Sequence, residues 1–173
     1  GSGSATPPRL VQLDHVPAGA TAEMPRVVLV GKGITFDTGG LQVKPVDGML
    51  GMKTDMSGAA IVLAVLSACH ELEVGVRVTG LLALAENAVD GASYRPGDVV
   101  TQYGGRTVEI GNTDAEGRIV LADALAYADA ALDPTVLVDV ATLTGAARIA
   151  LGRSIAPVFA TDPALSAALE AAG

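Results

Sequence analysis

Three stretches of the chain are apolar at nearly every position. They are Arg26-Val27-Val28-Leu29-Val30-Gly31, Val76 to Ala85, and Thr135 to Ala141. A half-buried strand alternates between apolar and polar residues, whereas a strand apolar along its length is buried on both faces. Helical stretches separate them. One runs from Gly58 through Cys69, with Asp55 or Ser57 as its candidate cap. It is apolar nearly all round, so it is expected to be sandwiched rather than surface-lying. A second begins after Arg118 and runs to about Leu132, before Pro134. Arg9 to Asp14 and Ile155 to Ala160 read as further strands, and Thr144 to Leu151 and Pro163 to Ala172 as further helices. Val99 to Gln102 and Arg106 to Ile110 flank Tyr103-Gly104-Gly105 as a hairpin. Lys32 to Gly40 reads as a glycine-rich loop, Leu41 to Lys53 as irregular, and Gly1 to Pro8 as a flexible leader.

Buried strands alternating with helices predict an α/β fold: a mostly parallel or mixed central sheet, covered by helices on both faces, in a single domain over residues 1–173. In such sheets ligands bind beyond the carboxyl ends of the strands. Three polar clusters are predicted there: Lys32 to Lys44, Glu86-Asn87, and Asn112 to Arg118.

Composition narrows the function classes. Half of the 173 residues are hydrophobic and 17% are charged, which suits a folded domain rather than a disordered chain. The net charge of −8 weighs against a nucleic-acid surface as the main business. No apolar run reaches the roughly 18 residues of a membrane span without a charge or glycine, and no membrane partner is expected. One cysteine, Cys69, rules out an internal disulfide and suits a reducing compartment. It reads as a core residue.

The candidate chemistry lies in charges set among apolar or glycine-rich neighbours: Lys32, Asp37, Lys44, Asp55, Asp114, Glu116 and Arg118. Four are carboxylates, the donors that hard dications take, and two adjacent dications can share one hydroxide. Each residue also has a plainer reading. Acids at a helix start, as Asp114 and Glu116 would be, are favoured by capping and by the helix dipole. Asp55 serves equally as a cap. Arg118 is badly placed for the dipole and would be explained by a salt bridge to Asp114. Asp139 is either a supporting group or the solvated end of its strand. Lys32 between glycines suggests a phosphate loop, but the G-x-x-x-x-G-K-[ST] pattern is absent. His15 and His70 stand outside these clusters, and His70-Glu71 is not followed by x-x-His. The residues alone lead to an acidic metal site in an α/β domain, with hydrolysis as its leading use.

The motifs carry a resemblance that goes further. Asn112-Thr113-Asp114-Ala115-Glu116-Gly117-Arg118 resembles the signature of the leucine aminopeptidase, or cytosol aminopeptidase, family of two-metal peptidases. Val30 to Gly40 is similar to that family's first metal loop, with Lys44 seven positions after Asp37 as its catalytic lysine is. Met52 to Ala60, Ala85-Glu86-Asn87, Arg95 to Val100 and Ala141 to Ala146 also match, and Gly3-Ser4 with Pro7 to Leu10 resembles the lead-in. The resemblance implies two divalent ions, zinc or manganese, held by Lys32, Asp37, Asp55, Asp114 and Glu116. Asp37 and Glu116 would bridge them around a shared hydroxide. It implies that Lys44 polarises the substrate carbonyl, and that Arg118 holds a bicarbonate ion as proton acceptor. Met52, Thr142, Leu143, Thr144 and Gly145 would line the pocket for the departing side chain.

The activity implied is release of leucine-like N-terminal residues from peptides with a free N-terminus, by a cytoplasmic homo-oligomer that is a hexamer in the family. Family members carry a separate N-terminal domain and a longer C-terminal tail. The chain is therefore expected to hold the central part of the catalytic domain and to need self-association or a complementing segment. Three other readings compete: a non-catalytic fragment or assembly subunit, a DNA-binding architectural role, and magnesium-dependent phosphoryl chemistry. The last leaves Lys32, Lys44 and Arg118 unexplained at these spacings.

Overall fold

Val28 and Val30 bury their side chains on one face of the central sheet and Leu29 on the other, which is why the run around them shows no alternation. They belong to strand β2 (Arg26–Asp37) in a computed structural model that describes residues 1–173. Strand β1 (Arg9–His15), β3 (Arg77–Asn87) and β6 (Val136–Val140) complete a four-stranded sheet in the order β1-β3-β2-β6. β2 runs parallel to β3 and to β6, while β1 lies antiparallel on the outer side of β3. The sheet is mixed, as the α/β class anticipates.

Helix α2 (Ser57–Glu71) connects β2 to β3, and helix α3 (Glu116–Leu132) lies between β3 and β6 in the chain. They cover opposite faces. Leu121, Ala124, Ala128 and Leu132 of α3 pack on Val28, Val30, Leu81 and Ala83. Ala59, Val62, Leu66 and Cys69 of α2 pack on Val78 and Leu82, with Leu29 alongside. Gly58 sets how closely α2 approaches β6, because a Cβ there would meet the carbonyl oxygen of Val140 at 2.0 Å. A short helix α1 (Val46–Met49) and a 3-10 turn (Met52–Thr54) precede α2. They break the apolar Val46–Glu71 stretch, and α2 with its 15 residues is shorter than the roughly 20 a bilayer needs. The hairpin of β4 (Val99–Thr101) and β5 (Thr107–Glu109) reaches α3 through the Tyr103 amide, which donates to Asp123 Oδ1 at 2.7 Å, and through an edge-to-face contact of Tyr103 with Tyr127.

The chain divides into two compact units, Gly1–Thr142 and Leu143–Gly173. The second consists of α4 (Ala146–Leu151) and α5 (Pro163–Ala172), the latter capped by Asp162 accepting from the Ala164 amide at 2.8 Å.

Four expectations are corrected. The glycine-rich stretch after Gly31 is not a loop: Lys32, Gly33 and Ile34 continue the ladder with Ala83, Leu84 and Ala85, and β2 ends at Asp37. Ile155 to Ala160 is not a strand, since no partner strand pairs with it. Helix α2 is not sandwiched: Ile61, Leu63 and Val65 are 50%, 47% and 40% exposed on the face turned from the sheet. Neither Asp55 nor Ser57 caps α2. The Asp55 carboxylate faces Lys32 and Thr142, and the Ser57 hydroxyl donates to the Thr54 carbonyl at 2.6 Å.

Candidate metal centre

The site forms where β2 and β3 end side by side. Between Ile34, opposite Ala85, and Asp37, opposite Asn87, β2 holds one residue more than β3. Side chains alternate along a strand, so one extra residue turns everything after it to the other face. Asp37 is thereby returned to the face of Lys32, which its odd spacing would otherwise deny it. Lys32 is buried on that face at 3% exposure. Its stem runs over Gly117 at the start of α3, where a Cβ would come within 2.6 Å of Lys32 Cε.

Two lysines hold four carboxylates. Lys32 Nζ lies 2.7 Å from Asp55 Oδ2 and 3.0 Å from Glu116 Oε1. Lys44 Nζ lies 2.6 Å from Asp114 Oδ1 and 3.1 Å from Asp37 Oδ2. Asp114 and Glu116 are presented by a 3-10 turn (Thr113–Ala115) running into α3, with Asn112 Oδ1 accepting from the Asp114 amide at 2.8 Å. The acids at this helix start therefore point to the lysines, and Asn112 does the capping. Thr142, just past β6, donates from its hydroxyl to Asp55 Oδ1 at 2.7 Å, and its carbonyl accepts from Lys32 Nζ at 3.3 Å.

The electrostatics are unbalanced. Four carboxylates meet two ammonium groups, and Asp37, Asp55 and Glu116 are all buried. Burial pushes the Glu116 carboxyl above its usual range; Lys32 opposes that and Asp37 adds to it. Burial alone would lower the Lys44 ammonium, but its hydrogen bonds to Asp114 and Asp37 win and hold it above the ordinary lysine value. Tyr94 is pushed up to about 12 by burial and by the nearby Glu116, Asp37 and Asp114 charges.

The donor set fits divalent cations. One oxygen from each of Asp37, Asp55 and Glu116 lies within 4.8 Å of the others. Asp55 Oδ2 and Asp114 Oδ1 are buried and sit at ion-pair distance from a lysine, yet neither receives a well-directed hydrogen bond. Each therefore faces a lysine charge without a directed hydrogen bond, and buried carboxylate oxygens of this kind are donors that a divalent cation takes. Asp114 stands outside the three-acid group and joins it through Lys44.

The comparisons with known proteins decide the family. The cytosol aminopeptidase family, catalytic domain, matches residues 1–173. The chain belongs to the cytosol aminopeptidase family. It is 56% identical over 173 residues to the probable cytosol aminopeptidase of Desulfovibrio desulfuricans, covering all of this chain and 34% of that protein. Its fold superposes on leucyl aminopeptidase from Trypanosoma brucei in complex with actinonin with a TM-score of 0.95 at 44% identity, over 100% of this chain and 34% of that one. The bottromycin maturation enzyme BotP in complex with Mn gives a TM-score of 0.89 at 48% identity, over 98% and 37%. The chain thus spans about a third of the length of the cytosol aminopeptidases it matches.

The remaining candidates of this cytosol aminopeptidase domain are placed as follows. Arg118 is exposed on the first turn of α3 and makes no salt bridge, so the pairing with Asp114 is absent. Met52 opens the 3-10 turn before Asp55 and is half-buried. Leu143, Thr144 and Gly145 lie in the second unit, where Gly145 starts α4 and Thr144 Oγ1 accepts from the Ala146 amide at 3.3 Å. Asp139 is exposed, in line with the solvated reading. Two residues at the site lie in the polar clusters read from the sequence but were assigned no role there. Asn87 ends β3 with its amide among the carboxylates, and Thr113 is fully buried. The Thr113 hydroxyl donates to the Gly39 carbonyl at 2.7 Å and accepts from the Gln42 amide at 2.9 Å. The available signal was Asn87's place at the end of a buried strand, directly after Glu86.

Proposed function

We propose that this chain is the reacting core of a metal-dependent aminopeptidase that releases leucine-like N-terminal residues from peptides. The observation that carries this reading is the single cluster formed by Lys32, Asp37, Asp55, Asp114 and Glu116, with Lys44 joining Asp114 to the rest. These five would hold two divalent ions, zinc or manganese; manganese is the ion named with BotP. Bound there, such ions would supply Lewis acidity and lower the pKa of a water.

The chain's own groups would do the rest. The neutral α-amino group of a free N-terminus would bind at a metal ion held there, which accounts for removal of the first residue only. Lys44, kept protonated by Asp37 and Asp114, is a donor for the charge that develops on the carbonyl oxygen. Arg118, exposed and unpaired, is free to hold a bicarbonate ion as proton acceptor. Met52, in the turn before Asp55, and Thr142, hydrogen-bonded to Asp55, would contact the departing residue.

Hydrolysis of leucine p-nitroanilide with added zinc or manganese tests the reading. A metal-dependent release of nitroaniline is expected. A folded sample that binds the metal without any such rate would favour the second reading, a non-catalytic assembly piece. The exposed Ile61, Leu63 and Val65 favour assembly in either case, through a further copy or a complementing segment.

A further inference from the structure

Asn87 brings an uncharged donor into the cluster. It is buried at the end of β3. Its Nδ2 lies 2.8 Å from Asp37 Oδ1, 3.1 Å from the Thr113 carbonyl and 3.4 Å from Glu116 Oε2. An amide nitrogen has two hydrogens, so three acceptors share them. The pairing of oxygens is the informative part. Lys44 takes Asp37 Oδ2 and Lys32 takes Glu116 Oε1. Asn87 faces the other oxygen of each. Asp37 Oδ1 also accepts from the Gly39 amide at 2.8 Å, so two donors already occupy it.

The Asn87 backbone is fixed as firmly as its side chain. Its carbonyl accepts from the Thr38 amide at 2.9 Å and from the Thr38 hydroxyl at 2.8 Å. On the far side, Thr113 ties the turn carrying Asp114 and Glu116 to Gly39 and Gln42. The amide is therefore anchored to β2, to β3 and to the turn before α3.

We propose that Asn87 is a positioning residue that sets the rotamers of Asp37 and Glu116, so that Asp37 Oδ2 and Glu116 Oε1, the oxygens that face Lys44 and Lys32, are the ones presented to a cation. The proposal rests on the metal reading above. Groups that orient ligating carboxylates are worth about ten- to a hundredfold in metal affinity.

The test is a Mn2+ titration by calorimetry on the full protein, comparing wild type with Asn87→Ala and Ser93→Ala. Ser93 sits in the loop that follows β3, its hydroxyl donating to the Ala88 carbonyl at 2.8 Å, and it makes no hydrogen bond to the four carboxylates. Asn87→Ala should lose about ten- to a hundredfold in Mn2+ affinity, and Ser93→Ala should stay within about twofold. Equal losses in both, or an Asn87→Ala affinity within about twofold of wild type, would overturn the proposal. Should Asn87→Ala not fold, 15N spectra of the wild type decide. The Asn87 side-chain amide signals should exchange slowly and shift on adding Zn2+, and unmoved signals overturn it. A wild type that binds neither ion removes the metal reading itself, and this proposal with it.

Discussion

Lys32 of β2 and Asp55, two residues before α2, form a buried ion pair, 2.7 Å between Nζ and Oδ2, across 23 positions of sequence. The same ammonium reaches Glu116 at 3.0 Å. One lysine thus joins three segments far apart in the chain, each by a charge held out of water.

Removing that charge should be costly. Lys32→Met keeps the stem's bulk but leaves Asp55 and Glu116 buried without their cation, and breaking a buried pair costs about 3–5 kcal/mol. The expected outcome is a drop of that size in urea unfolding without metal. A loss under about 1 kcal/mol would mean that the two carboxylates find other partners.

Gly117→Ala opposes two effects of known size. Alanine gains up to about 1 kcal/mol over glycine inside a helix. Its Cβ would lie 2.6 Å from Lys32 Cε and 2.9 Å from Nζ. A free lysine would swing aside, but this one is tied at its tip to Asp55 and Glu116. The clash wins, at a net cost of about 1–3 kcal/mol. Thermal unfolding read together with Mn2+ affinity checks it, since a stabilised variant with unaltered affinity would show the lysine to be loose.

Lys44→Ala separates rate from binding. Lys44 is a positive charge between Asp37 and Asp114, so its loss makes the cluster more anionic, and divalent affinity should hold or rise. The rate should fall by about a hundred- to a thousandfold, as for other donors to a developing oxyanion. Calorimetry and nitroanilide assays on one sample give both numbers. An unchanged rate would remove Lys44 from the carbonyl role.

Cys69 reports on the seat of α2. Burial raises its thiol pKa, so the folded protein keeps it protonated at pH values where an unfolded chain forms thiolate. A group raised in this way costs stability as pH climbs past the unfolded thiol value, about 8.5. Iodoacetamide should therefore react slowly with the native protein and much faster in urea. Equal rates would show α2 detached from the sheet.

Much of the fold was legible because its physics is local. Val27 to Val30 and Val78 to Ala85 are apolar on both faces, and only a sheet covered twice accounts for that. The charged turn at Asn112 to Arg118 was legible as chemistry because its spacing resembles a known family. The rest depends on distant partners. β2 runs on to Asp37 because β3 lies alongside, and no local pattern in Lys32-Gly33-Ile34 announces that ladder. Asp55 looked equally like a helix cap, and its partners Lys32 and Thr142 lie 23 and 87 positions away. Asn87 fell in a predicted polar cluster but without a role, because an uncharged amide becomes informative only once two carboxylates are seen against it.

The extra residue of β2 between Ile34 and Asp37 also fixes what kind of change this strand can bear. Side-chain identity at Thr35 and Phe36 is open to substitution, because neither is fully buried. The count of residues is not. Deleting one would keep every downstream letter of the sequence yet swing Asp37 through the sheet, away from Lys44 and Asn87. In this segment the chain stores its active geometry as a length.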